Sequence, residues 1–418
     1  MLPRKTFFFF LFFFSGLTVL YGQVPGFYMK EDGRKKEIPF LVSNNLTILP
    51  VSVNGSPPVN FLLDTGVKTN ILFSKTLGDY IGLKYTRKLD LIGADGTTVL
   101  TASVSPTNHL DIGPVEGIFQ TILVLDEDFL ELERVIGVPV FGVIGYEFFK
   151  YNPIKIDYDE GVITFYRSDV VKRKPFGYRK LSIKLENSKP YIHAKVKQNN
   201  GNEIVTKLLI DTGANHGLLL NRETSDQIVL PKQRLESELG RSLGGDLYGF
   251  VGRTRWLKLN RLKFNNIITS FPDETEFSYV IKDSGRQGSI GSELLGRLNV
   301  IFDYSREKMY IKKGMTYHEP FEYDMSGITA RVIPSEDKRI YISQVREGSP
   351  AYNAGVKQND EFVSINGVPL DFWELSDLIK IFRSEEGREI KLVLKRYIDG
   401  DPESFELNEV KFKLKRQI

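Results

Sequence analysis

The sequence predicts a mainly β chain in which one β lobe occurs twice and a small α+β module follows. Three observations carry this. The stretch "FLLDTGVKTNILF" at 61–73 returns as "LLIDTGANHGLLL" at 208–220. Each copy is followed by a second apolar–Gly stretch: Asp64 precedes Gly145 by 81 positions, and Asp211 precedes Gly291 by 80. Lastly, "IDY" and "FDY" place Asp157 and Asp303 146 positions apart, against the 147 that separate Asp64 from Asp211. Matched spacing inside one chain marks an internal duplication, and it governs how the local stretches are read.

In chain order, the N-terminus "MLPRKTFFFFLFFFSGLTVLYGQ" has Arg4 and Lys5 before an apolar run from Phe7 to Leu20. That run is shorter than the roughly 20 residues that span a bilayer and suits a secretory signal. Removal of residues 1–22 after Gly22, leaving Gln23 first, is favoured over a retained anchor, with no Cys there for lipid attachment and no later segment able to span a membrane. The mature protein is expected to be exported, to the periplasm, the cell surface or the medium. Residues 23–40 read as a tail or a first edge strand. Asn45-Leu46-Thr47 matches a glycosylation acceptor, a pattern too short to carry weight.

The first lobe, 23–170, is built of short β runs such as "LTILPVSVNG", "VNFLLDTG", "GTTVLTASVS" and "GVITFYR", broken by Gly, Asn and Pro. A charged connector, "VKRKPFGYRK" at 171–180, leads to the second lobe, 181–314. In each lobe the Ile-Gly element precedes a stretch that fits one short helix, "YEFFKY" or "SELLGRL". The last unit, 315–418, has a different pattern. Ser349 before Pro350 starts a helix and Gly355 stops it. "EFVSINGVPL" is two short strands about an Asn-Gly turn. Phe372, Leu375, Leu378, Ile379 and Phe382 recur at helical spacing, and "EIKLVLKR" alternates as a strand.

Composition narrows the chemistry. There are 56 Lys and Arg against 53 Asp and Glu, so the net charge is +3 and nothing global points to nucleic acid. Cysteine is absent, which removes disulfides and thiolate chemistry. The four histidines (His109, His193, His216, His318) form no metal-binding spacing. No nucleophile elbow, phosphate loop or dinucleotide fingerprint occurs, and no cofactor or metal is expected. His216 falls in the second motif's loop and reads as structural.

The paired Asp-Thr-Gly stretches point to one chemistry. If the lobes pack about a pseudo-two-fold axis, Asp64 and Asp211 meet there. Two carboxylates a few ångströms apart cannot both ionise, so one keeps a proton while the other acts as base. Such a pair can activate water and protonate the carbonyl it attacks; aspartic proteases are the standing example of this shared-proton behaviour. The Gly after each Thr permits close backbone approach.

Over roughly residues 40–314 the chain resembles a bilobed, retropepsin-like aspartic peptidase. The resemblance implies a catalytic pair of Asp64 and Asp211, loops braced by Thr65 and Thr212, and tight turns at Gly66 and Gly213. It also implies supporting segments at Val143-Ile144-Gly145 and Ser289-Ile290-Gly291, and flap hairpins at 91–99 and 241–252. The positions that usually carry a Ser, Thr or Ala hold Val67 and Ala214, which offer no hydroxyl to an ionised carboxylate. Lys68, unusual beside the motif, is expected to point outward.

Residues of about 318–418 resemble a PDZ domain of the bacterial, protease-associated type, chiefly through "VREGSPAYNAGVKQNDEFVSINGVPL" at 345–370. That resemblance implies strand addition beside the helix, with a terminal carboxylate on backbone N–H groups in "MSGITARV" at 325–332, Gly327 and Ile328 foremost, and helix residues 374–382 opposite. The expected partners are a peptide or unfolded protein at the cleft and a protein tail in the PDZ groove, the module either recruiting substrate or regulating access to the cleft. Because one chain holds both halves of the site, no dimer is needed. The rival reading is an inactive peptide-binding scaffold using the same cleft and groove.

Overall fold

The computed structural model describes residues 24–92, 99–128, 130–242, 245–275, 278–335, 337–398 and 401–418. The expected signal segment, 1–22, lies outside the described residues, as do the tips of both candidate flaps, 93–98 and 243–244.

The two Asp-Thr-Gly stretches sit at the ends of equivalent strands. In the first lobe, Val59–Leu63 pairs antiparallel with Leu46–Val53 on one side and parallel with Gly142–Ile144 on the other. In the second, Glu203–Ile210 pairs antiparallel with Lys189–Lys197 and parallel with Gly288–Ile290. Each short Gly-Val-Ile or Gly-Ser-Ile strand is also paired antiparallel, with Asn70–Leu72 or Leu218–Leu220. Those strands in turn run parallel to Val115–Leu125 and Leu262–Pro272. The two lobes therefore share one connectivity, as the duplicated spacing predicts.

A third sheet joins the lobes. Ile154–Asp157 of the first pairs with Leu298–Asp303 of the second, Ile156 opposite Val300. Lys35–Pro39 closes one end of this sheet and Arg179–Ser182 the other, so the connector's last residues are strand, and the segment after Gln23 supplies edge strands. Buried Phe148, Phe149, Phe165 and Phe302 stack edge-on across the join. Burying such rings contributes roughly 1.5–3 kcal/mol each. The short helices Tyr146–Phe149 and Ser292–Leu295 follow the Gly elements.

The C-terminal module is a separate six-stranded sheet with its own core. Ser349 caps the helix Pro350–Asn353 through its side chain. Asn366 and Gly367 take positive φ between Glu361–Ile365 and Val368–Pro369, as a two-residue hairpin turn demands. The helix Leu375–Phe382 buries Leu375, Leu378 and Phe382, together with Ile381. Phe372 departs from the expectation. Glu374 caps the helix, so Phe372 lies before it and is 78% exposed. Among the described residues no helix is long and apolar enough to cross a membrane.

Candidate active site

Asp64 and Asp211 stand at the junction of the lobes because the strands that carry them end there. The N–H of Asp64 donates to Ile144 O and that of Asp211 to Ile290 O, each at 2.9 Å. Beyond each Asp the two Thr residues lock the loops together. Thr65 Oγ1 donates to Ile210 O at 2.7 Å and accepts from Thr212 N at 3.1 Å. Thr212 Oγ1 does the reciprocal, donating to Leu63 O at 2.8 Å and accepting from Thr65 N at 3.0 Å. Both threonines are fully buried. Four crossed, direct bonds fix the separation of the two loops, since breaking any of them strands a buried polar group.

The carboxyl groups of Asp64 and Asp211 lie within hydrogen-bonding reach of one another. Gly66 N donates to Asp64 Oδ1 at 2.6 Å and Gly213 N to Asp211 Oδ1 at 3.1 Å. A Cβ at Gly213 would overlap the Asp64 carboxyl group, and one at Gly66 would press on both carboxylates. Burial, then the neighbouring Asp211 charge, hold the Asp64 carboxyl well above the usual carboxylate range, against the opposing Gly66 N–H.

Gly145 and Gly291 buttress the loops from behind. Tyr146 N donates to Val67 O at 2.9 Å and Ser292 N to Ala214 O at 2.7 Å. A Cβ on Gly145 would strike Val67 O, and one on Gly291 would strike His216 O. Lys68 is exposed.

The dyad forms the floor of a cleft of about 390 Å³, the size of an ordinary ligand pocket. Its first-lobe wall is apolar, with Leu46, Leu62, Ile71, Phe73 and Val143. Leu132, Val135 and Ile136 of a short helix, Leu132–Ile136, extend that wall. The second-lobe wall is mixed, with Asn215, His216, Arg286 and Ser289 beside apolar Leu219 and Leu247. His216 Nε2 meets Ser289 Oγ at 2.9 Å, and burial pushes its pKa down. Sequence reasoning set His216 aside and passed over Arg286 and Lys189; only the strand register brings these toward the carboxylates. Of the two hairpins expected as flaps, the second, Arg234–Ser242 with Gly245–Leu259, reaches the cleft through Leu239, Gly240 and Leu247.

The C-terminal module lies against this cleft. Its edge strand, Ile328–Ile333, packs against its own helix Leu375–Phe382 and against the first-lobe helix Leu132–Ile136. Arg331 pairs with Glu238 of the second hairpin, both largely buried, and Ser237 Oγ meets Tyr323 OH at 2.9 Å. The groove beside the edge strand opens on the cleft: Asn44, Val135, Asn215, His216, Leu239 and Gly240 line both. The expected carboxylate cradle needs correction. Gly327 N donates to Asp324 Oδ2 at 2.7 Å and Ile328 N to Ser326 Oγ at 3.0 Å. Neither N–H is free for a terminal carboxylate, and Asp324 already sets a carboxylate there, paired with Arg346 at 3.0 Å.

Residues 49–148 match the family model of an aspartyl protease, and residues 341–396 match that of a PDZ domain. The chain thus carries an aspartyl protease-like domain and a PDZ domain. Among curated proteins, the carboxy-terminal processing protease CtpA of Bacillus subtilis (strain 168) is 23% identical over 155 residues, 37% of this chain and 31% of that protein. A probable CtpA-like serine protease of Staphylococcus haemolyticus is 29% identical over 101 residues, 24% of this chain and 20% of that protein. The chain therefore spans less than a third of the length of either relative. Among solved structures, basic 7S globulin from soybean is similar with a TM-score of 0.40 at 9% identity, covering 71% of this chain and 98% of that one.

Proposed function

We propose that this protein is an exported aspartic-type endopeptidase whose Asp64–Asp211 pair activates a water, with the PDZ domain presenting substrate to the cleft. The observation that carries the reading is the reciprocal Thr65–Thr212 lock, which brings one carboxyl group from each lobe to a common site. Asp64 holds the shared proton, because burial and its neighbour favour its neutral form. Asp211 accepts a proton from a water placed between the two carboxyl groups. The water oxygen attacks the peptide carbonyl carbon as Asp64 protonates the carbonyl oxygen. Collapse of the resulting diol, with a proton passed to the nitrogen, releases amine and acid. No covalent intermediate forms, and one chain supplies the whole site.

The PDZ edge strand would take an extended internal segment by strand addition rather than a free C-terminus. Since groove and cleft are continuous, a segment held there stays at high effective concentration beside the dyad. The relatives' names describe serine chemistry in proteins this chain matches over a minor part of their length, and the dyad supplies a different nucleophile. Treatment with a serine-directed fluorophosphonate separates the two. Full retention of casein cleavage supports direct water attack, and loss of cleavage with stoichiometric labelling would overturn it.

A further inference from the structure

The two walls beside the dyad are related by the duplication, yet at two equivalent positions they carry opposite chemistry. Ile48 pairs with Leu62, which brings Leu46 level with Asp64. At the equivalent place Tyr191 pairs with Leu209, which brings Lys189 level with Asp211. A second substitution repeats the contrast. Gly142 pairs with Phe61 and Gly288 with Leu208, so Val140 and Arg286 occupy equivalent positions. Val140 is buried, whereas Arg286 lines the cleft. Where the first lobe has two aliphatic side chains, the second has two cations.

Among the described residues neither the Arg286 guanidinium nor the Lys189 ammonium makes an ion pair or a hydrogen bond. Burial and then the charge of Arg286 press the Lys189 pKa down, and only the dyad pulls it back. The dyad, sharing one proton, carries a single negative charge for two cations. Like charges held close and half-buried are unfavourable unless an anion joins them.

We propose that this corner is a subsite for an acidic side chain, so that the cleft selects peptides with Asp or Glu on one side of the scissile bond and a large apolar residue on the other. The inference rests on the peptidase reading above. An extended peptide centred on the pseudo-two-fold axis presents its two flanking residues to equivalent places in opposite lobes. One residue meets the aliphatic wall, and the other meets Arg286 and Lys189. A guanidinium can grip the carboxylate with two parallel bonds, which a neutral amide of the same shape cannot match.

The test uses non-hydrolysable peptides in which a hydroxyethylene unit replaces the central bond, with Leu on one side and either Glu or Gln on the other, in both orders. Binding is read by fluorescence anisotropy with the full chain from Gln23 onward. In one order the Glu peptide should bind about ten-fold or more tightly than the Gln peptide. Arg286→Gln should shrink that ratio to near unity, while Arg286→Lys retains part of it. Equal binding of Glu and Gln peptides in both orders overturns the acidic subsite and leaves the peptidase reading standing. A Glu preference untouched by Arg286→Gln overturns the assignment to this corner. Binding of no peptide, with folding verified by thermal unfolding, overturns both readings.

Discussion

Asp64 is under opposed pressures. Burial and the Asp211 carboxylate raise its pKa, while the Gly66 N–H and the Lys189 charge lower it, and the raising side wins. A carboxyl whose folded pKa lies above its unfolded value binds its proton more tightly in the folded state. Its stabilising contribution is complete below the unfolded pKa, near 4, and is lost as pH rises through the folded value. Asp64→Asn keeps the shape without the charge, so it should raise the thermal midpoint at pH 7 and leave it nearly unchanged at about pH 3. A lower midpoint at pH 7 would contradict this. The same residue bears on rate. Among the described residues the backbone N–H groups of Gly66 and Gly213 donate to the two carboxylates, and Val67 and Ala214 add no hydroxyl. The rate maximum is expected above about pH 3.5, and Ala214→Ser should move the acid limb downward; a maximum below that value would refute the argument. The Asp-Thr-Gly residues were legible because a carboxylate between apolar runs is costly without a use. Lys189 and Arg286 were not, since only strand register reveals what they face.

Among the elements, the Gly145 and Gly291 buttresses are the most sensitive to added bulk. Each runs so close to a motif-loop carbonyl that no Cβ fits. Gly291→Ala should cost about 1–3 kcal/mol, read as a shift of the denaturant midpoint, and a change within error would mean that the loop gives way freely. These elements showed in the sequence through their spacing from the motifs. The helix Leu132–Ile136 did not, being five residues long and held by contacts with the PDZ strand rather than by its own periodicity. Phe372 was misplaced because helical spacing alone cannot show that Glu374 caps the chain two residues later. The loop at Gly327 has the residue pattern of a carboxylate cradle, but Asp324 occupies its donors. Peptides with a free or an amidated C-terminus should therefore bind the full chain within about two-fold of each other, since no charge-assisted bond distinguishes them. A ten-fold preference for the free acid would restore the cradle.

At the scale of the whole molecule, the paired spacings anticipate two sheets of like connectivity, but not the shared sheet in which Ile154–Asp157 meets Leu298–Asp303. Nor could spacing announce how the PDZ domain sits, because that depends on surfaces drawn from both lobes. Arg331 and Glu238 tie the PDZ edge strand to the second hairpin with little solvent around them. A double-mutant cycle on Arg331→Ala and Glu238→Ala should give a coupling of about 1 kcal/mol or more, and additivity would mean that the domain is held by other contacts. The central claim, one water-activating pair shared by two lobes of one chain, is tested most directly by a single assay. Protein beginning at Gln23, and its Asp64→Asn and Asp211→Asn variants, are each given an unstructured protein substrate across pH 3–8, and product is followed by mass spectrometry. The account predicts cleavage by the unsubstituted protein and its loss in both variants, each still folded. Cleavage that survives either substitution, or a folded parent protein that cleaves nothing, would contradict it.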